Sequence, residues 1–495
     1  MNASSLLLFL PVIPLCGGLG ILLLRRHPNL REGASLVAAA LLFAGVLQLL
    51  PLVAEGQRPV LELFQILPGI SLAFHAEPLG IGFALIVSLL WFITVIYAIG
   101  YMRAKEDPNQ TRFFLFFSIA IFATVAGALS ANLLTLYLFY EVLTLATYPL
   151  VTHGGQEKDK AGGRTYLTIL LGTSLIFLLL AMAWTYTLTG TLDFVAGGLF
   201  LEDGNLITGL TPTTLALIFA LFLFGTGKAA LMPFHRWLPA AMVAPTPVSA
   251  LLHAVAVVKL GVFTILKITV YTVGIDALTQ FDAATVMQYV AAITLLAAAV
   301  FALREDNIKR RLAYSTISQL AYIVLAATLA NSLSLMAGGM HIAAHAFAKI
   351  TLFFCAGMIL VSLHTTTVSG MRGIARKMPI TVTAWTIASL CVIGLPLTGG
   401  FWSKWYLAQG ALSAGEPLML IVVLVGSLLA VGYLLPPAIS AFYPAGDEAP
   451  EPAGKTGAPE APRASLAAIV ITTAMTVVLF FAAQPILRFL EGFVS

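Results

Sequence analysis

Apolar stretches of about 20 residues recur from one end of the chain to the other, separated by short polar segments. That length allows an α-helix to cross a bilayer, so the pattern predicts an all-α polytopic membrane protein with about 14 transmembrane helices. We place the spans at residues 4–24, 33–53, 79–102, 112–130, 132–151, 164–188, 213–232, 247–272, 284–303, 311–330, 335–361, 379–411, 417–441 and 465–488.

The arrangement of helix-breaking residues suggests an internal symmetry. Span seven is broken at Pro233, just after Lys228. Span twelve is broken by a second group, formed by Gly394, Pro396, Gly399 and Gly400. If spans four to eight and nine to thirteen are two sets of five, the odd offset gives them opposite orientations, which is the inverted-repeat layout of many transporters.

This reading divides the chain into five parts. Between the second repeat and the last span lies a segment rich in Pro, Ala, Gly and Glu, which favours a disordered loop on the inside. The parts are 1–111 (spans one to three), 112–273 (first five-helix repeat), 284–443 (second repeat), 444–464 (disordered loop) and 465–495 (helix fourteen).

The basic residues indicate how the chain is oriented. If the N-terminus is outside, 19 of the 26 lysines and arginines lie in inside loops, and five lie within spans. The outside then holds only Arg58 and Arg488. Cytoplasmic loops carry an excess of Lys and Arg, so both termini are predicted to be outside.

Composition excludes several classes of function. Hydrophobic residues make up 59% of the chain and charged residues only 10%, whereas a soluble domain carries about 25% charged residues. The net charge of +4 does not indicate nucleic-acid binding, since the basic residues lie in loops. No Walker loop, dinucleotide fingerprint, paired CxxC or haem motif is present, so we expect no cofactor.

The charged residues inside the predicted spans call for a functional explanation. Each costs about 2.5–3.5 kcal/mol on insertion scales, so Glu141, Lys228, Lys259 and Lys349 together cost on the order of 10–14 kcal/mol if unpaired. That rivals the stability of an ordinary domain, roughly 5–15 kcal/mol. For Lys267, near the outer end of span eight, snorkelling to the interface and a buried role both stay open.

Proton transfer is the chemistry that these groups suit. Burial favours the neutral form of a lysine and a neighbouring carboxylate favours the charged form, so moving the carboxylate loads or unloads a proton. Glu141 is the only acid near a span centre, and we pair it with Lys228. The alternative is a static ion pair that fixes helix packing.

Span eleven carries a stripe of titratable side chains. His341, His345 and Lys349 are spaced i, i+4 and i+8, so they share one helix face and favour a proton relay over satisfied core residues. Metal binding is less favoured, because no carboxylate or cysteine shares that face. Other groups that could assist or hold water are His253, Tyr140, Thr144, Ser249 and Ser318.

The stretch from Gly225 to Lys267 also resembles a known family. Lys228, then PFHRWLP, then APTPVSALLHAVAVVK ending on Lys259, is similar to the antiporter-like subunits shared by respiratory complex I and Mrp-type cation/proton antiporters. The resemblance extends roughly over residues 80–410. It implies that the proton path runs through Glu141, Lys228, Lys259, His341, His345, Lys349 and Lys404.

The sequence GGFWSKWYL around Lys404 looks most like the D-type member of the Mrp antiporter subunits. The resemblance implies partner subunits, a prokaryotic plasma membrane, and transport of protons against Na⁺ by a secondary transporter rather than an enzyme. Two alternatives stay open. One is a proton-pumping subunit of a complex I-like NADH:quinone oxidoreductase or related hydrogenase, and the other is a structural membrane subunit.

Overall fold

Long apolar sequence forms long helices here, because a helix satisfies its own backbone hydrogen bonds where water is absent. The computed structural model describes residues 3–443 and 460–494. Within those residues twelve helices are long and apolar enough to cross a membrane. This confirms the predicted fold class of an all-α polytopic membrane protein. The two other predicted spans, seven and twelve, are built from shorter helices.

The first half of the chain adds two small hairpins to the helices. The loops over residues 55–77 and 190–211 each contain an antiparallel strand pair, and the larger pair has Val60 opposite His75. The elements are α1 Ala3–Leu23, α2 Pro28–Ala54, β1 Val60–Leu67, β2 Ile70–His75, α3 Pro78–Ala104, α4 Gln110–Ala128, α5 Leu133–Val151, α6 Glu157–Thr189, β3 Leu201–Glu202, β4 Asn205–Leu206 and α7 Pro212–Gly225.

The second half begins with an irregular stretch that holds three short helices of three or four residues, at Gly227–Ala229, Trp237–Ala240 and Ala241–Val243. Three further short helices connect longer ones, at Ile275–Gln280, Ser369–Met371 and Ile374–Arg376. The longer helices are α8 Thr246–Val273, α9 Thr285–Arg304, α10 Ile308–Leu329, α11 Ser332–Leu363, α12 Pro379–Ile393, α13 Gly399–Ser413, α14 Pro417–Ser440, α15 Arg463–Phe481 and α16 Ala483–Val494.

The last part of the chain differs from the prediction. The sequence predicted one span over 465–488, as the only helix of a C-terminal part at 465–495. That prediction is wrong, because α15 ends at Phe481 and a separate helix, α16, follows. In α16 the buried residues are Ala483, Leu487, Leu490 and Phe493, whereas Gln484, Arg488 and Glu491 are exposed. Such a helix suits the membrane surface rather than its interior. Residues 444–459 of the predicted disordered loop lie outside the described residues.

Three helices form the centre of the bundle. The most apolar 18-residue window is 100% buried in α8, 94% in α10 and 83% in α11, against 39% for α2. α11 packs against α3, α8, α10, α12, α13, α15 and α16. The charged groups of spans eight and eleven therefore lie on two of the three most buried helices.

Lys267 shows the effect of that shielding. Its side chain is fully buried, so the snorkelling interpretation is wrong. The ammonium donates to the Ser130 carbonyl at 2.6 Å and lies 3.5 Å from Oε1 of Glu77. Glu77 also caps α3, since its carboxylate accepts hydrogen bonds from the amides of Leu79 and Gly80. This buried ion pair ties α8 to the start of α3.

Candidate functional site

The first helix break lies earlier than predicted. We placed it at Pro233, after Lys228, but α7 ends at Gly225. A Cβ on Gly225 would lie 2.3 Å from the backbone nitrogen of Leu178, so only glycine lets α7 approach α6 this closely. Lys228 consequently lies inside the break, in a turn whose Gly227 carbonyl accepts a hydrogen bond from Trp237 Nε1 at 3.0 Å.

Lys228 is held by α5. Its backbone amide donates to the Tyr140 hydroxyl at 3.0 Å. Its ammonium donates to the Tyr140 carbonyl at 2.8 Å and to Oγ1 of Thr144 at 2.6 Å, and it lies over the Tyr140 ring. Two of the hydroxyl residues selected from the sequence therefore bind this lysine. All of these direct partners are neutral.

Glu141 is close to Lys228 but does not pair with it. Among the described residues, no ion pair within 4.0 Å joins the two, so the static ion pair considered as an alternative is not formed. The reason is rotational, since Tyr140 and Thr144 share the helix face toward Lys228 while Glu141 is turned about 100° from Tyr140. Both carboxylate oxygens are buried without a hydrogen-bond partner in the described chain. The carboxylate still acts electrostatically on Lys228. The pairing of the two groups for proton transfer stays a prediction.

Lys259 is brought next to this break by a glycine. A Cβ on Gly261 would lie 2.6 Å from the backbone carbonyl carbon of Lys228, so α8 packs directly against the turn. Preceding Lys259, α8 is wound as a π-helix over Leu251–Val255. Nζ of Lys259 lies within hydrogen-bonding distance of Nδ1 of His345. This contact joins α8 to α11.

The two histidines of α11 continue the path. The rings of His341 and His345 stack with centroids 5.9 Å apart and an interplanar angle of 10°. Nδ1 of His341 lies 2.8 Å from Oγ of Ser403 on α13, and the ring of Tyr322 stacks on the other side. Nε2 of each histidine is buried without a hydrogen-bond partner among the residues that the structure describes.

The second break lies between α12 and α13, at the glycines named from the sequence. Gly394 follows the last residue of α12 with φ of +94°, and a Cβ on Gly400 would lie 1.9 Å from the Cys391 carbonyl oxygen. Glycines thus bring the two half-helices together, with Pro396 in the turn and Gly399 at the start of α13.

The ammonium of Lys404 lies at the second break. Its ammonium donates to the Ile393 carbonyl and to Oγ of Ser427, both at 3.0 Å, and lies 4.5 Å from the centre of the Tyr322 ring. A cavity of about 500 Å³ between α13 and α14 reaches this lysine. Lys404 therefore lies on α13 with its ammonium at the break in span twelve, whereas Lys228 lies within the break in span seven.

Lys349 faces α10 rather than the two histidines. Its ammonium donates to Oγ of Ser315 at 2.6 Å and to the Leu312 carbonyl at 3.2 Å. Ser318 and Gln319 follow on the same helix. Their side-chain polar atoms are buried, with no hydrogen-bond partner in the described part of the chain.

Sequence reasoning selected only Ser318 from α10. It missed several neutral polar residues that line the row, namely Ser315, Gln319, Tyr322, Ser403, Ser427 and Tyr433. Three of these lie with Ser318 on α10, where polar positions 315, 318, 319 and 322 repeat at helical spacing in the segment AYSTISQLAY. This polar face could have identified the missed residues of α10 from the sequence alone.

Two auxiliary residues lie apart from the row. Oγ of Ser249 donates to the Pro245 carbonyl of its own helix at 3.4 Å. His253 lies in the π-helical segment with its ring 4.7 Å from that of Phe353. Both of its ring nitrogens are buried without a partner among the described residues.

These residues form a buried row of titratable side chains. It runs from Glu141 and Lys228 at the first break, through Lys259, His345 and His341, to Lys404, with Lys349 beside it. Direct contacts join Lys259 to His345 and His345 to His341. The packing of α8 against the turn brings Lys259 near Lys228, and His341 and Lys404 both lie against the Tyr322 ring. Its members are a carboxylate, amines and imidazoles that exchange protons, and imidazole both donates and accepts. Buried polar atoms normally have a partner, and ordered water supplies it where protein does not. The unpaired nitrogens and carboxylate oxygens are therefore where water would enter the row.

Comparisons with known proteins agree with this architecture. The family described as NADH:quinone oxidoreductase/Mrp antiporter, TM, matches residues 130–430. The family described as NADH-Ubiquinone oxidoreductase (complex I), chain 5 N-terminus, matches residues 68–114. Together the two matches cover most of the membrane helices.

Individual relatives include both oxidoreductase subunits and antiporter subunits. NADH-quinone oxidoreductase subunit N of Desulforudis audaxviator is 32% identical over 87% of this chain and 85% of that protein. Putative antiporter subunit mnhA2 of Staphylococcus haemolyticus is 30% identical over 73% of this chain, which spans less than half, 46%, of that relative. A chain in the structure of the Mrp complex from Dietzia sp. DQ12-45-1b superposes with a TM-score of 0.84 at 22% identity, over 99% of this chain and 96% of that one. The chain belongs to the NADH:quinone oxidoreductase/Mrp antiporter family of membrane proteins.

Proposed function

We propose that this chain is the proton-translocating subunit of a multisubunit Mrp-type Na⁺/proton antiporter. The observation that carries the proposal is the contact of Lys259 with His345, which links the two helix breaks through the centre of the bundle. A row built only for packing would pair its charges. Here the carboxylate of Glu141 and the Nε2 atoms of His341 and His345 are buried without partners in the described chain, which argues against a structural subunit.

The contact between Lys259 and His345 suits proton exchange. A proton shared by Nζ of Lys259 and Nδ1 of His345 could rest on either nitrogen without a large movement of the side chains. Imidazole that gains a proton on Nδ1 can release one from Nε2. A water molecule between the Nε2 atoms of His345 and His341 would carry it on toward Ser403 and Lys404.

At the other end of the row, Glu141 would set the charge of Lys228. Because the lysine is held by neutral oxygens, its preference for the charged form depends on the distance to the carboxylate. A small movement of α5 relative to the break would change that distance. This is how the row would be coupled to events in neighbouring subunits.

The antiporter assignment has one serious competitor. Similarity to the Mrp complex over nearly the whole chain and to mnhA2 supports a cation/proton antiporter, with the SKWYL motif supporting the role of a D-type member of that complex. The identity with the Desulforudis oxidoreductase protein over 87% of the chain supports a proton-pumping subunit of a complex I-like oxidoreductase. In either case the chain works with partner subunits and is not itself the catalyst of a redox reaction.

The remaining features of the proposal concern orientation and symmetry. The relatives from Desulforudis audaxviator and Staphylococcus haemolyticus support a prokaryotic plasma membrane, and the distribution of basic residues supports both termini outside. The matching positions of Lys228 and Lys404 at two helix breaks support two inverted five-helix repeats.

Purifying the intact complex through this chain tests the assignment. We expect mass spectrometry to find further membrane subunits without redox subunits. In vesicles that contain the complex, added Na⁺ should drive proton movement. Copurified redox subunits, with proton movement driven by NADH or another electron donor and indifferent to Na⁺, would reject the antiporter and select the complex I-like alternative.

A further inference from the structure

A second large cavity lies away from the row. It has a volume of about 920 Å³ and is bounded by α2, α3, α11, α15 and α16. Its walls are mainly apolar, formed by side chains such as Leu50, Phe83, Ile342, Leu479 and Phe489. Because the walls come from five helices, the cavity is a built groove rather than a gap beside one exposed face.

The groove extends deep into the bundle. It begins where α2 ends, at Val53 and Ala54, and reaches Phe347 on α11. Phe347 is 15 residues from the first residue of α11, which corresponds to about 22 Å along a helix. The groove contacts α11 at Gly339, Ile342, Ala343 and Phe347, on the face opposite to His341 and His345.

Two arginines lie at the mouth of the groove. Arg58 and Arg488 are the only basic residues that the predicted topology assigns to the outside, and both line this cavity. Both are exposed. Arg58 donates to the Val53 carbonyl at 2.9 Å and to the Gly492 carbonyl of α16 at 3.3 Å, so it is fixed beside the helix that carries Arg488. Glu491 and Gln484 also lie at the rim.

We propose that this groove binds an anionic phospholipid, with the phosphate of the headgroup at Arg58 and Arg488 and an acyl chain along α3 and α11. Guanidinium groups suit phosphate, because their planar donors match its oxygens. The apolar walls suit hydrocarbon, and the amphipathic α16 lies where headgroups meet acyl chains. The volume is that of a small-molecule site, about 300–1,000 Å³, rather than of a protein docking face.

Lipid binding to the purified complex tests the proposal. Fluorescent phosphatidylglycerol should bind more tightly than fluorescent phosphatidylcholine. Arg488→Gln should weaken phosphatidylglycerol binding about fivefold, which corresponds to about 1 kcal/mol for one basic residue near an anionic lipid surface. Arg26→Gln, a change to an exposed arginine at the opposite end of the bundle, is the matched control and should have no effect.

A second pair of variants tests the groove without altering charge. Gly82 lines the cavity, and a Cβ there would make only an ordinary contact of 3.7 Å with Phe489. Gly82→Leu should therefore fold and block the acyl chain, reducing binding of both lipids. Gly33→Leu, on α2 with open space around its Cβ position, should leave binding unchanged.

The proposal would be overturned if the two lipids bind equally well and neither Arg488→Gln nor Gly82→Leu reduces their binding. A cross-linking experiment with Ala54→Cys gives a second contradicting outcome, in which the cysteine cross-links to another subunit of the intact complex and not to a lipid-borne reagent. That outcome would show that protein fills the groove.

Discussion

Glu141→Gln is expected to reduce proton translocation by the assembled complex by about 100-fold or more, the usual scale for losing an essential proton-transfer group. Glu141 is the only acid near the centre of a span, so no other carboxylate of this chain can act on Lys228 from the same place. Glutamine keeps the shape of the side chain and removes only the charge. The carboxylate has no hydrogen-bond partner in the described chain, so the change breaks no hydrogen bond there.

The variant should be compared with wild type in vesicles at matched levels of every subunit. Glu62→Gln, which neutralises an acid on the exposed hairpin, is the control and should transport normally. Near-normal transport by Glu141→Gln in an intact complex would show that the row does not depend on this carboxylate.

Lys404→Ala is expected to cause a similar loss of coupled transport, again about 100-fold or more. The ammonium satisfies the Ile393 carbonyl that the break in span twelve leaves free, and it meets the cavity between α13 and α14. In the predicted orientation this lysine lies beyond the break, toward the outside. We therefore expect Lys404 to exchange protons between His341 and the outer surface.

Lys404→Arg separates this role from anchoring. Arginine stays charged at all accessible pH values, so a proton-exchange site should be impaired by it, whereas an anchor that only snorkels should be preserved. Vesicle transport by the Ala and Arg variants at equal expression gives the answer, with Lys160→Arg at an exposed position as the control. Wild-type activity of Lys404→Arg would favour the anchor.

Much of the fold was predictable, because the apolar runs that a bilayer requires are visible in a single sequence. The hairpins were not, since the segments around Val60 and Leu201 are too short and too mixed to separate strand from loop. The end of α7 was also missed. Pro233 indicates a break because it cannot continue a helix. The helix ends earlier, at Gly225, where it packs closely against α6, and a local sequence pattern does not contain that packing.

The charged members of the site stood out because burying charge is expensive. Their neutral partners did not, because serine and tyrosine are common in membrane helices. Tyr140 and Thr144, rather than Glu141, hold Lys228 since the non-helical turn fixes where that ammonium points. The contact between Lys259 and His345 depends on how α8 and α11 pack, and the sequence contains no direct record of it.

Measuring proton movement by a complex that carries Lys259→Met tests the central claim most directly. Lys259 lies between Glu141 and Lys228 on one side of the row and the histidines of α11 and Lys404 on the other. Methionine has a similar length and no charge, so the change removes the ammonium and its contact with Nδ1 of His345 while filling much of the same space. In vesicles containing the intact complex under its own driving force, we predict that proton movement falls to background while subunit composition is unchanged. Wild-type rates at equal protein would contradict a proton path through this row.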